Sequence, residues 1–291
     1  MNQDREDGAT PKKGQYLRWS PGLLKLYLEL FCLGRRLRPD FRALEAFCCF
    51  IGYPRSGHSL VGALIDAHPG AIVSHELNAL QYFQAGFRRN QVFALILRKS
   101  AQFARSGHTR GGYTYLVPNQ WQGRYSRLKV IGDKQGAGLA ERLWLEPELL
   151  ARLRRTVALP VRFIHVTRNP YDNITTLHRK ARRLDQDLSA SIRRYFRRCA
   201  SVQKIKQQLG PDELIELRHE ALIARPHETL AELCAFLGLA PDPAYLEDCA
   251  GIVYPSPHRS RHDLPWTDTQ IDQVDRHIQE FPFLAGYSFE D

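Results

Sequence analysis

The chain has no C-x-x-C pair, no internal repeat, no low-complexity block and no long apolar run. C2H2 zinc-finger spacing and an aromatic RNP-like motif are missing too, so nucleic acid is not the expected partner. The first 14 residues are polar and charged, with no apolar segment beside the start, and a cleaved secretory leader is not expected. A helical pattern from Ser20-Pro21 through Phe31 runs into Arg35, Arg36 and Arg38, too short and too charged to span a bilayer. Its apolar positions suit a helix packed on the domain, and the run 20–38 is also compatible with peripheral contact with a membrane surface. The 6 cysteines (Cys32, Cys48, Cys49, Cys199, Cys234, Cys249) show no metal-ligand spacing, and a reduced, cytoplasmic setting fits them best.

What is present is a chain of 291 residues, 43% hydrophobic, enough to bury one large core. One domain is expected over residues 46–291, preceded by an extension over 1–45 whose first part should be mobile. A net charge of +10 and a pI near 9.4 favour acidic ligands, anionic polymers or anionic membranes. Short apolar runs at Phe47–Tyr53, Ala71–Ser74, Leu128–Ile131, Val161–Thr167 and Glu213–Leu217 suit buried strands. Between and after them lie helical patterns at Ser59–Ala67, Leu77–Arg105 with a break near Asn90, Pro147–Arg155, Pro170–Arg183, Leu188–Gln208, Pro226–Leu237 and Thr267–Phe281. Tyr254–Trp266 reads as loop. Strand and helix in turn predict an α/β fold, a parallel sheet of about five strands covered on both faces, with ligands beyond the carboxyl ends of the strands.

Two segments at that edge carry chemistry. After the first strand, Gly52 and Gly57 enclose four residues as in the P-loop pattern, and Ser59 holds the hydroxyl position. His58 stands where the P-loop lysine would be, and the cation has moved to Arg55. This argues for an anion held by backbone N–H groups and a guanidinium rather than a magnesium nucleotide. After Val161–Thr167 come Arg168-Asn169-Pro170-Tyr171-Asp172: Asn169 as N-cap, Pro170 at the first helical position, Asp172 placed as in a capping box. Two helix starts, each with an arginine, suggest paired anion sites.

Here the chain resembles a family. Tyr53-Pro54-Arg55-Ser56-Gly57 with Asp66-Ala67-His68-Pro69, and Val166-Thr167-Arg168-Asn169-Pro170 with Thr176, are similar to the two nucleotide signatures of sulfotransferases that use 3′-phosphoadenosine 5′-phosphosulfate (PAPS). Ala221-Leu222, Pro226–Leu239 and the stretch from Arg259 through Trp266 to Tyr287 add to the likeness. The resemblance implies a P-loop-like three-layer α/β/α fold and a PAPS-dependent enzyme of the carbohydrate or tyrosylprotein branch, needing no metal. It implies that Arg55, Ser56, Gly57, His58 and Ser59 cradle the 5′-phosphosulfate, that Arg168 and Thr176 hold the 3′-phosphate, and that Arg259 and Arg261 close over it. The family's usual threonine is His58 here, and its usual serine is Thr176.

An acceptor hydroxyl or amine must lose a proton as it attacks sulfur, so a base is needed within reach. Glu76, after the strand Ala71–Ser74, resembles the glutamate of those branches, and His75 is its rival because its ordinary pKa suits proton transfer near neutrality. Adjacent residues on an extended segment point opposite ways, so one of the two should face the site. Lys134 resembles a strand-end lysine that would neutralise charge on the transferred group. His165, mid-strand, reads as a core histidine. The acceptor, a small molecule, glycan or peptide, should meet residues 77–122, with Tyr82, Phe83, Phe87, Tyr113, Tyr115 and Trp121 as aromatic walls. The alternatives are a P-loop kinase or triphosphatase, with Asp133 as magnesium ligand, and a non-catalytic binder of anionic polymers using Arg179–Arg183 and Arg193–Arg198.

Overall fold

A computed structural model describes residues 17–110, 112–181 and 187–291. Helix α1 (Pro21–Arg36) and the single turn α2 (Arg38–Phe41) lead into strand β1 (Ala46–Ile51), followed by α3 (His58–Asp66) and β2 (Ala71–His75). Helices α4 (Ala79–Gln84) and α5 (Arg89–Arg105) and a small hairpin, β3 (Thr109–Arg110) and β4 (Tyr113–Thr114), precede β5 (Val130–Lys134). Then come α6 (Gly136–Leu145), α7 (Glu148–Val157), β6 (Val161–Thr167), α8 (Pro170–Ala181), α9 (Leu188–Lys206) and β7 (Leu214–Arg218). Helices α10 (His219–Ala224), α11 (Pro226–Leu237), α12 (Pro243–Ala250) and α13 (Asp268–Gln279) complete the chain.

The five long strands form one sheet in the order β2-β5-β1-β6-β7, with every pairing parallel. β1 lies at the centre, and all of Ala46–Ile51 is buried, as a strand covered on both faces requires. Its side chains alternate between two cores. Phe47, Cys49 and Ile51 join the larger cluster with side chains of α1, α5, α7 and α9, whereas Ala46, Cys48 and Phe50 join residues of α3 and α11. That is the three-layer arrangement. Gly132 lets β5 approach β1: a Cβ there would sit 2.2 Å from the Cys48 Sγ and 2.4 Å from the Cys48 carbonyl oxygen.

α1 is not a loose appendage. Ser20 caps it by accepting from the Leu23 N–H at 3.2 Å, and Leu23, Leu30 and Gly34 are buried, with Gly34 set against Asn90 at the start of α5. Its outer side leaves Leu24 and Leu28 exposed beside Lys25 and Arg35. Part of the expected extension, residues 1–16, lies outside the described residues.

Several boundaries differ from the sequence pattern. β5 begins at Val130 and runs on through Asp133 and Lys134, because a buried strand accepts charged residues once each has a partner. The helical stretch after Leu77 breaks over residues 85–88, and α8 is described as far as Ala181, so Arg182 and Arg183 lie outside the described residues. α6, opening on Gly136-Ala137-Gly138, and the short α12 were not foreseen. The segment expected as loop holds one 3-10 turn, Ser260–Asp263.

Candidate active site

The first loop joins β1 to α3 over Gly52–Gly57. Gly57, at the N-cap, has φ +101°, and a Cβ there would lie 2.5 Å from the His219 ring, so both backbone conformation and space require glycine. His58 is buried under the loop. Its Nδ1 lies 3.1 Å from the Ser56 hydroxyl and its Nε2 3.3 Å from the Ile51 carbonyl oxygen. Burial, then the nearby Lys134 and His165, push its pKa down to about 3, so the ring is neutral. Ser56 is also buried and donates to the Tyr53 carbonyl at 3.2 Å. Both side chains therefore shape the loop. What His58 and Ser56 can offer an anion is their backbone N–H, alongside the Arg55 guanidinium and the Ser59 hydroxyl.

Lys134 ties this loop to Glu76. Its Nζ donates to the Ser59 Oγ at 3.1 Å and to the Glu76 Oε1 at 3.0 Å, with the lysine side chain 3% exposed and the glutamate 40% exposed. His75 pairs with Lys134 in the sheet, and the Glu76 N–H donates to the Lys134 carbonyl at 3.0 Å. The two rival bases point different ways, with Glu76 already past the end of β2. The His75 ring stacks on Phe103 at 4.6 Å between centroids, while Glu76 reaches the cation. Tyr115 lies beside Ser59, and its phenol is pushed up by burial. Asp133 is occupied elsewhere: it accepts from the Ser74 hydroxyl and from the Leu77 and Ala79 N–H groups.

The second arginine meets the same edge. Arg168 donates through Nη2 to the His258 carbonyl at 2.6 Å and the Ser260 Oγ at 3.2 Å, and through Nη1 to the Arg55 carbonyl at 3.4 Å. The Thr176 hydroxyl donates to the Asp172 carbonyl at 2.8 Å and lies 3.0 Å from Ser260. Arg168, Thr176 and Ser260 thus form one polar cluster adjoining the first loop. Asn169 caps α8, accepting from the Tyr171 N–H at 3.0 Å. The expected capping box is rearranged: Glu220 takes the Asn169 N–H at 2.9 Å, and Asp172 accepts from the Arg261 N–H at 2.8 Å. Asp172 is buried, which pushes its carboxyl up against the lowering effect of Arg261 and Arg168.

The two C-terminal arginines line one cavity but differ in exposure. Arg261 is buried, 3.6 Å from the Asp172 carboxylate, and donates to the Ser288 carbonyl at 3.2 Å and to the Asp291 carbonyl. Arg259 is exposed and lines, with Arg218, Glu220 and Tyr287, a cavity of about 240 Å³. His165 is buried, with Nδ1 3.1 Å from Glu216. Ser260 and His219 were not singled out in the sequence. Topology could have found His219, because it follows β7 at the ligand edge of the sheet. Among the described residues no cluster of three or more His, Cys, Asp or Glu could hold a metal ion.

Residues 152–243 match the model described as the sulfotransferase family. Over that third of its length the chain is similar to the family. The match falls on the segment with Arg168 and Thr176; the first loop lies outside it. The fold of the chain also matches the sulfotransferase domain from the curacin biosynthetic pathway, with a TM-score of 0.51 at 16% identity, over 81% of this chain and 97% of that one. Sulfotransferase STF9 from Mycobacterium avium scores 0.49 at 10% identity, over 90% and 85% of the two chains. Mouse sulfotransferase SULT7A1, solved in complex with PAP, scores 0.46 at 11% identity, over 83% and 87%. No curated protein matches the chain by sequence.

Proposed function

We propose that this protein is a sulfotransferase, moving a sulfuryl group from PAPS to a hydroxyl or amine of its acceptor. The observation that carries the reading is the Lys134 junction, where one buried ammonium bonds both the loop hydroxyl of Ser59 and the carboxylate of Glu76. The residues fit the donor: backbone N–H groups of 56–59, Arg55 and Ser59 suit the 5′ end, and Arg168, Thr176 and Ser260 suit the 3′-phosphate. Arg259 is placed to close over it, whereas the guanidinium of Arg261 braces Asp172 and the C-terminal carbonyls. The donor supplies a sulfuryl group already activated by its anhydride with phosphate. Glu76 takes the acceptor's proton. Lys134 holds Glu76 at hydrogen-bond distance and, with Arg55, presents positive charge to the departing phosphate side. We read this use of Glu76 as favouring the carbohydrate and tyrosylprotein branch.

A kinase reading loses its two requirements. Position 58 carries a neutral, buried histidine, and Asp133 has its lone pairs taken by backbone and Ser74 donors. Calorimetry separates the readings: PAP binding without magnesium supports the sulfotransferase, and magnesium-dependent ATP binding overturns it. With radiolabelled PAPS, Glu76→Gln and Lys134→Met should each lower kcat by about 100-fold or more, the scale of losing one preorganised charge or base. Wild-type transfer by both variants would defeat the assignment.

The acceptor is a small molecule, glycan or peptide, and Tyr113, Leu116 and Tyr254 give the molecule an exposed apolar rim. Screening these three acceptor classes with labelled donor distinguishes them. We further propose that residues 46–291 are the catalytic unit, working in a reducing cytoplasm. All 6 cysteines are unpaired, and no described helix is long and apolar enough to cross a membrane. α1, with exposed Trp19, Leu24 and Leu28 among Arg18, Lys25, Arg35 and Arg36, would then rest on an anionic membrane surface.

A further inference from the structure

Glu76 and Asn78 both adopt left-handed backbone conformations, with φ of +54° and +60°. Neither is glycine, and such residues persist where the surroundings over-determine them. The helix that follows does not hold the turn by itself: Asn78 is the N-cap of α4, yet its side chain makes no capping bond. The missing bonds come from the neighbouring strand. Asp133, 4% exposed, accepts from the Leu77 N–H at 3.0 Å and the Ser74 hydroxyl at 2.9 Å through Oδ1, and from the Ala79 N–H at 2.8 Å through Oδ2. The next residue of that strand, Lys134, holds the Glu76 side chain.

We infer that Asp133 is a positioning residue for the reaction: its carboxylate fixes the turn 76–79 in the one conformation that brings Glu76 to Lys134. This rests on the reading of Glu76 as the base. Asp133 touches neither donor nor acceptor, and it acts through the backbone on both sides of Asn78. An ionised carboxylate is an acceptor at both oxygens, which suits three donors converging on it. An amide of the same shape would present its NH₂ to at least one N–H, and the turn would relax. Small misplacements of a catalytic group are costly, about 100-fold for 1 Å.

The test is a double-mutant cycle of Asp133→Asn and Glu76→Gln, read by kcat for labelled sulfate transfer and by PAP affinity from calorimetry. Asp133→Asn should lower kcat by about 10- to 100-fold, with PAP affinity unchanged within about twofold, because the donor contacts lie elsewhere. In the Glu76→Gln background it should cost little more, since the group it positions is gone. Asn78→Gly added to Asp133→Asn should restore part of the rate, because glycine adopts the left-handed turn without strain. A kcat near wild type for Asp133→Asn, with Glu76→Gln inactive, overturns this inference alone. So does a loss of PAP affinity that parallels the loss of kcat, which would mark a general structural role. If Glu76→Gln itself keeps the wild-type rate, the base assignment falls and this inference with it.

Discussion

The burial of His58 makes acid stability a direct test of how the phosphate loop is built. In the folded chain the ring is wedged between the Ser56 hydroxyl and the Ile51 carbonyl, with Lys134 nearby, and its pKa is pushed from 6.5 down to about 3. In the unfolded chain it titrates at its ordinary value. The unfolded state therefore binds more protons between those two limits. Stability is fully present above the unfolded pKa of 6.5, begins to fall as the pH drops through it, and goes on falling toward about 3. Going from about pH 7.5 to about pH 5, this one group should cost about 2 kcal/mol, since nearly all unfolded molecules charge it and folded ones do not. Urea denaturation of wild type and His58→Asn at both pH values measures it. The contributions of the other depressed histidines, His68, His108, His165 and His219, are shared by both proteins and cancel. Wild type should lose about 2 kcal/mol more than the variant. Parallel losses would refute the placement of a neutral imidazole beneath the loop.

Arg168→Ala should weaken PAP binding by about 10- to 100-fold, the loss of charge-assisted hydrogen bonds, while leaving adenosine 5′-phosphosulfate, which lacks the 3′-phosphate, bound as by wild type. An equal loss for both nucleotides in calorimetry would show that Arg168 serves only to brace the Arg55 carbonyl. For the membrane contact, wild type should float with phosphatidylglycerol vesicles and not with phosphatidylcholine vesicles. Leu24→Asp with Leu28→Asp should weaken that binding by at least about 10-fold, because each exposed leucine contributes on the order of 1 kcal/mol or more when buried in lipid. Binding that survives the double variant unchanged removes α1 as the contact.

Sequence reading reached furthest where chemistry and periodicity coincide. β6 and α11 appear at their observed limits, because each is bounded by strong signals: the Asn169-Pro170 helix start after the strand, and Pro226 and Gly238 at the ends of the helix. The two loops were legible for the same reason, since glycine, arginine and hydroxyl residues at fixed offsets have few other uses. α6 was hidden because it opens with Gly136-Ala137-Gly138, a poor helix former held by tertiary packing against α9. Direction was the other hidden quantity. His58 and Ser56 read as ligands in a line of text, and only the folded loop shows their side chains turned beneath it. Arg259 and Arg261 look alike two residues apart, yet one is exposed and the other buried on Asp172. The left-handed turn at Glu76 and Asn78 also escaped notice, because its cause sits on a strand more than fifty residues away.

Lys134 ends β5 opposite His75, and Glu76 follows directly on that rung with its N–H donating to the Lys134 carbonyl, so the backbones that carry the ammonium and the carboxylate are held at the spacing of two hydrogen-bonded strands. In the proposed reading the acceptor meets the chain between α4 and β5, whose later part is tied to the end of α3: the Trp121 N–H donates to the Ala67 carbonyl and the Gly123 N–H to Asp66. On that reading, substrate choice and proton transfer draw on different parts of the molecule. Changes to the exposed Tyr113 and Leu116 would then alter acceptor choice while leaving the Lys134–Glu76 pair in place.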